Sequence, residues 1–95
     1  QHPLLYSNHL TAIQPDWINS EPDFPLTCSA KVRYRQADQH CLIHKDDEQN
    51  LIVSFESPQR AVTPGQSIVF YIGERCLGGA IIETTGTTHP QEMKD

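Results

Sequence analysis

No apolar run in this sequence exceeds five residues, at 68–72, whereas a membrane-spanning helix needs roughly 20. No transmembrane helix is therefore expected. A charged start followed by an apolar stretch and a small-residue cleavage site is also missing, so nothing marks the chain for secretion. Positive charge is scarce: seven Lys and Arg stand against twelve Asp and Glu, a formal charge of −5. That balance argues against a broad basic coat for nucleic acid. No window of a dozen residues holds a helical apolar pattern, which leaves strands to build the fold. The three cysteines, at 28, 41 and 76, are odd in number and irregularly spaced. They are expected as free thiols in a reducing cytoplasm rather than as a disulfide framework. The 95 residues suffice for one domain with a thin core. The chain begins at Gln1 rather than Met, and it is expected to be a piece of a longer protein.

What is present is period-two alternation, the mark of strands with one buried face. It is clearest over residues 26–35, where Leu26, Cys28, Ala30, Val32 and Tyr34 share one face and Thr27, Ser29, Lys31, Arg33 and Arg35 the other. The first set should lie on a core and the second face outward. A polar break at 36–39 separates it from a second strand at 41–44, and the charged turn at 46–50 leads to a third at 51–56. Asp and Asn favour local hydrogen bonds in such turns. Thr63-Pro64-Gly65-Gln66 has the Pro-Gly order of a type II turn. A strand at 68–72 follows, then Gly73-Glu74 as a tight hairpin and a return strand at 75–83. Within that return, Gly78-Gly79 predicts a bulge or a close approach of another backbone. Residues 10–18 alternate unevenly around Pro15, which suits an edge strand, and residues 84–95 read as a flexible polar tail. About six short strands make an antiparallel barrel or sandwich, and a closed barrel avoids exposed edges in so small a sheet.

Chemistry is sparse. His40, Cys41 and His44 are the nearest approach to a metal cluster, but on a strand Cys41 points away from the two histidines, and neither a Cys-x-x-Cys nor a His-x-x-x-His pattern occurs. Cys28 and Cys41 fall on core positions, where thiols are inert, and Cys76 beside Arg75 has only one adjacent cation to activate it. Gly78-Gly79 lacks the Lys-Ser or Lys-Thr of a phosphate loop. The basic row stands out instead. Residues 26–36 carry Lys31, Arg33 and Arg35 and no acid, a charge of +3, while residues 1–25 carry −3 and residues 37–95 have four cations against nine acids. On one strand face these side chains stand about 6.6 Å apart, a spacing that can meet successive phosphates. A solvated outer face with no ligand is the alternative.

Several stretches together resemble the C-terminal region of the bacterial tRNA-specific 2-thiouridylases. They are His2-Pro3-Leu4, Asp16-Trp17-Ile18, Ala30-Lys31-Val32-Arg33-Tyr34-Arg35-Gln36, Ala61-Val62-Thr63-Pro64-Gly65-Gln66-Ser67-Ile68-Val69-Phe70-Tyr71 and Gly73-Glu74-Arg75-Cys76-Leu77-Gly78-Gly79. Ala80 departs from the pattern, where the family usually has a third glycine. The resemblance implies a closed antiparallel barrel of about six strands, similar to domain 2 of elongation factors, over residues 1–83, with 84–95 as its tail. It further implies a three-part cytoplasmic parent enzyme, a sulfurtransferase that makes 2-thiouridine at the wobble position of tRNA. ATP with magnesium, the catalytic and central domains and a sulfur-donor protein belong to that parent. This stretch itself is expected to hold no cofactor and no catalytic residue, and its cysteines do not match the family's sulfur-transfer motifs. Lys31, Arg33, Arg35 and Gln36 are the residues carried over as tRNA contacts near the anticodon. A purely structural barrel packed on the catalytic domain is the second expectation.

Overall fold

The alternation in sequence is realised as six strands, in a computed structural model that describes residues 6–32, 39–60 and 63–86. They are β1 (Tyr6–Trp17), β2 (Leu26–Lys31), β3 (Gln39–Lys45), β4 (Leu51–Arg60), β5 (Ser67–Ile72) and β6 (Arg75–Gly86). The ring runs β1-β4-β3-β2-β5-β6 and closes on itself, with every neighbouring pair antiparallel. This is the small closed barrel expected from the sequence. Inward residues two apart on each strand fill it: Cys28 and Ala30, Cys41 and Ile43, Leu51 and Val53, Ile68 and Phe70 are all buried. Burial of such side chains is the main favourable contribution to folding, about 1.5–3 kcal/mol for each large aliphatic or aromatic one.

The turn chemistry holds in detail. Gly65 has φ +92°, the positive value a type II turn requires at its third residue, and Gln66 N–H donates to the Thr63 carbonyl at 3.4 Å. The same turn is sewn to β6, where Gly65 N–H donates to the Ile82 carbonyl at 2.8 Å and Ile82 N–H to the Gln66 carbonyl at 2.9 Å. Gly73 has φ +60° between the paired residues Ile72 and Arg75, as the tight hairpin demands. In the β3–β4 connection the Asp46 carboxylate accepts from Glu48 N–H at 2.8 Å and Asn50 N–H at 3.0 Å.

Gly78 answers both expectations made of it. The β5–β6 register shifts beside it, with Phe70 opposite Gly78 but Tyr71 opposite Cys76, so Leu77 is the extra residue of a bulge. A Cβ on Gly78 would also overlap the Asp16 carbonyl oxygen and come within 2.9 Å of Trp17 Cα, and its φ is +141°. The backbone of β1 therefore crosses where only glycine leaves room.

Two expectations change and one is narrowed. The stretch around Pro15 has one open side, because β1 pairs with β4 only through Ala12 and with β6 on to Trp17; the edge is confined to residues 13–17 of a strand that is otherwise paired on both sides. Pro15 falls in the register shift between Ile13 and Asp16, beside Gln14 at φ +54°; the bulge removes the need for the N–H that proline lacks. β2 ends at Lys31 and the chain bends at Val32, so the strand expected to reach Arg35 is described only to Lys31. β6 runs to Gly86, with Thr84 opposite Thr11 and Thr85 opposite Leu10, three residues past the boundary expected at 83. Residues 87–95 lie outside the described residues.

Antiparallel closure divides the connections between two ends of the barrel. Residues 18–25, 46–50 and 73–74 join strands at one end. At the other, β2 and β4 finish at Lys31 and Arg60 while β3 and β5 begin, so residues 32–38 and 61–66 join strands there.

Candidate nucleic-acid interface

Charge separates between these two ends. Where β2 and β4 finish, the strands carry Lys31 and Arg60, with Glu56 nearer the middle of β4, and the connection that leaves β2 adds Arg33, Arg35 and Asp38 in sequence. At the opposite end, residues 18–25, 45–50 and 73–75 carry Glu21, Asp23, Asp46, Asp47, Glu48 and Glu74 against Lys45 and Arg75.

Of the four predicted contacts, Lys31 is the one whose side chain is described. It sits opposite Val69 in the β2–β5 pairing, partly buried, with Nζ 5.7 Å from the centroid of the Tyr71 ring. That places it on the outer face of the sheet, as the alternation required, and the ring helps to hold the ammonium there. Arg33, Arg35 and Gln36, with Tyr34 between them, lie outside the described residues; they belong to the connection leaving Lys31. Arg60 was missed by sequence reasoning. Nothing local marks it, and only the strand order puts the end of β4 at the same end as the end of β2.

The acidic end is built as a plug. Trp17 stacks on Phe70 with centroids 5.9 Å apart and meets Phe24 at 6.0 Å, so this aromatic faces the core rather than a ligand. Its indole Nε1 is buried without a hydrogen-bond partner among the described residues. Lys45 bonds Glu21 at 2.8 Å and Gln49 at 3.0 Å and lies 5.7 Å from the Phe24 centroid, so this cation serves the fold. His40 is exposed and Cys41 buried, the opposed orientations expected of them. Among the described residues no group of three or more His, Cys, Asp or Glu is placed to hold a metal.

An open apolar groove of about 450 Å³ lies outside β5 and β6, with Ile18, Val69, Gly78, Gly79 and Ile81 among its walls. Ile18 is 63% exposed and Ile81 37%.

A family model described as the aminomethyltransferase β-barrel domain matches residues 7–82. The tRNA-specific 2-thiouridylase MnmA of Coxiella burnetii (strain CbuK_Q154) is 59% identical over 83 residues, covering 86% of this chain and 22% of the relative. That of Vesicomyosocius okutanii is 57% identical over 82 residues, 86% of this chain and 23% of the relative. The Protochlamydia amoebophila protein of the same name is 50% identical over 93 residues, 98% of this chain and 25% of the relative. The chain thus spans about a quarter of the length of the curated relatives it matches. Barrel, matched residues and relatives agree: the chain belongs to the aminomethyltransferase β-barrel domain family, as the C-terminal barrel of the tRNA-specific 2-thiouridylases.

Proposed function

We propose that this barrel is the tRNA-contacting domain of a cytoplasmic 2-thiouridylase, holding the anticodon region for an ATP-dependent catalytic domain elsewhere in the parent chain. The observation that carries the reading is the separation of charge between the two ends of the barrel. Lys31, Arg33 and Arg35, joined by Arg60, neutralise phosphates, and the Gln36 amide contributes a directed hydrogen bond. The acidic end repels the backbone and fixes which way the barrel meets it. Catalysis gains through placement, since a displacement of about 1 Å at the reacting atom can cost on the order of a hundredfold in rate. ATP with magnesium, the sulfur chemistry and the sulfur-donor protein are assigned to the rest of the parent. The test is tRNA binding by the full enzyme carrying Arg33→Ala and Arg35→Ala at several salt concentrations. Weaker binding with a shallower salt slope is expected; unchanged affinity and slope would sink the reading.

A second reading, a structural barrel packed on the catalytic domain, is favoured by the exposed Ile18 and Ile81 beside the β5–β6 groove. It predicts that Ile18→Ser in the full enzyme loosens the interdomain contact while tRNA affinity follows only the loss of packing.

A further inference from the structure

Cys28 and Cys41 were each assigned to the core by alternation, but the register does more than bury them. The two residues are direct partners in the β2–β3 ladder, with Sγ atoms 3.8 Å apart. Directly opposed residues on antiparallel strands have Cα atoms about 4.5–5.5 Å apart, inside the window of about 4.4–6.8 Å that disulfides use. Rotation about the side-chain torsions, without strand movement, would bring the sulfurs into bonding range. Cys76 has no such partner, since it stands opposite Tyr71.

A cleft of about 320 Å³ crosses the outer face of β2, β3 and β4, with Cys41 among its lining residues, while both cysteine side chains turn to the core. Cys28 and Cys41 are 6% and 4% exposed, which excludes a protein-sized oxidant, so the oxidant is a small one that reaches the sulfurs when the strands open locally. Their hydrogen bond also readies the pair. Either sulfur can donate in that bond; it holds Cys28 below the ordinary thiol range against the burial that raises it, while the same bond and burial push Cys41 up.

We propose that Cys28 and Cys41 are a modification site, closing a reversible cross-strand disulfide when the protein meets a peroxide. One thiol sulfur attacks a peroxide oxygen and the O–O bond breaks, giving a sulfenic acid and one water. The second sulfur attacks the sulfenic sulfur, the S–O bond breaks, and a second water leaves with its proton. Two electrons pass from the two sulfurs to the peroxide, and a thiol reductant reverses the change. The bond closes a covalent ring over residues 28–41, the stretch that includes Lys31, Arg33, Arg35 and Gln36.

Tryptic mapping tests this directly, because Lys31, Arg33 and Arg35 all lie between the two cysteines and digestion separates them unless they are linked. Reduced protein is exposed to hydrogen peroxide, remaining thiols are alkylated, and the digest is read by mass spectrometry. The expected result is a Cys28 peptide joined to a Cys41 peptide, two hydrogens lighter than their sum and lost on reduction, so that two of the three free thiols disappear together. Cys76→Ser should leave the link intact. Recovery of Cys28 and Cys41 in alkylated form, or as separate sulfinic or sulfonic acids, would overturn the proposal and leave the pair as core packing only.

Discussion

The two ends of the barrel are built by different means. At the acidic end, short connections are held by their own chemistry: Asp46 accepts two backbone N–H groups, Lys45 ties Glu21 to Gln49, and Trp17 closes the core over Phe70 and Phe24. Gly78 leaves there the room that the β1 backbone occupies and a Cβ would fill. At the basic end, the well-specified 63–66 turn is docked on β6 and carries no charge, while the connection from β2 to β3 carries the guanidinium groups. One end is held together by its own side chains; the other carries the cations assigned above to a proposed tRNA contact. If that proposal holds, stability and binding belong to opposite ends of this small ring, and substitutions should separate them.

The largest effect is expected at the acidic end. Gly78→Ala places a methyl group into the β1 backbone at a positive φ and should destabilise the fold by about 3 kcal/mol or more. Gly65→Ala, in the basic-end turn with nothing within 4 Å of its Cβ position, should cost only about 1 kcal/mol of backbone strain. Denaturant midpoints with unchanged slope would measure both, and equal losses would break the contrast. Trp17→Ala removes the aromatic lid and should cost about 3 kcal/mol without altering tRNA affinity of the folded enzyme; a large affinity loss at constant fold would move the interface to the wrong end. Arg33→Ala with Arg35→Ala should do the reverse, lowering tRNA affinity about tenfold and the salt slope by about two. Thermal unfolding of that double variant should match the parent to within about 0.5 kcal/mol. Smallest is Lys45→Ala, since the Glu21 pair is open to solvent, with side chains 22% and 46% exposed. It should change stability by about 0.5 kcal/mol and leave tRNA binding alone, and a weakened complex would show that both ends touch RNA.

Much of the fold was legible because its signals are local. Alternation located five of the strands, and Pro64-Gly65, Gly73 and Gly78 marked turns and a bulge through the φ values only glycine tolerates freely. The place of β1 was half legible. Pro15 marks the stretch that has β6 alone as a partner, with its missing N–H absorbed by the bulge at Gln14, while nothing local shows that residues 6–12 pair with β4 as well. The site was half legible. The row containing Lys31, Arg33 and Arg35 is a sequence pattern, whereas its company with Arg60 and its separation from six acids depend on which strand ends closure brings together. The Cys28–Cys41 opposition needed the β2–β3 register, which sequence spacing alone leaves open.

The seam between β1 and β6 sets the order in which this domain can be made. It pairs His9 with Gly86 and Leu10 with Thr85, partners separated by most of the chain. Neighbouring strands β2, β3 and β4 can pair as soon as each is synthesised, but β1 waits for one of its two flanks until the last strand has left the ribosome. Ring closure is thus a late, long-range event that bears the loop entropy of nearly the whole domain. A nascent chain truncated before β6 would carry β1 with one unpaired side, an exposed edge the finished barrel never shows.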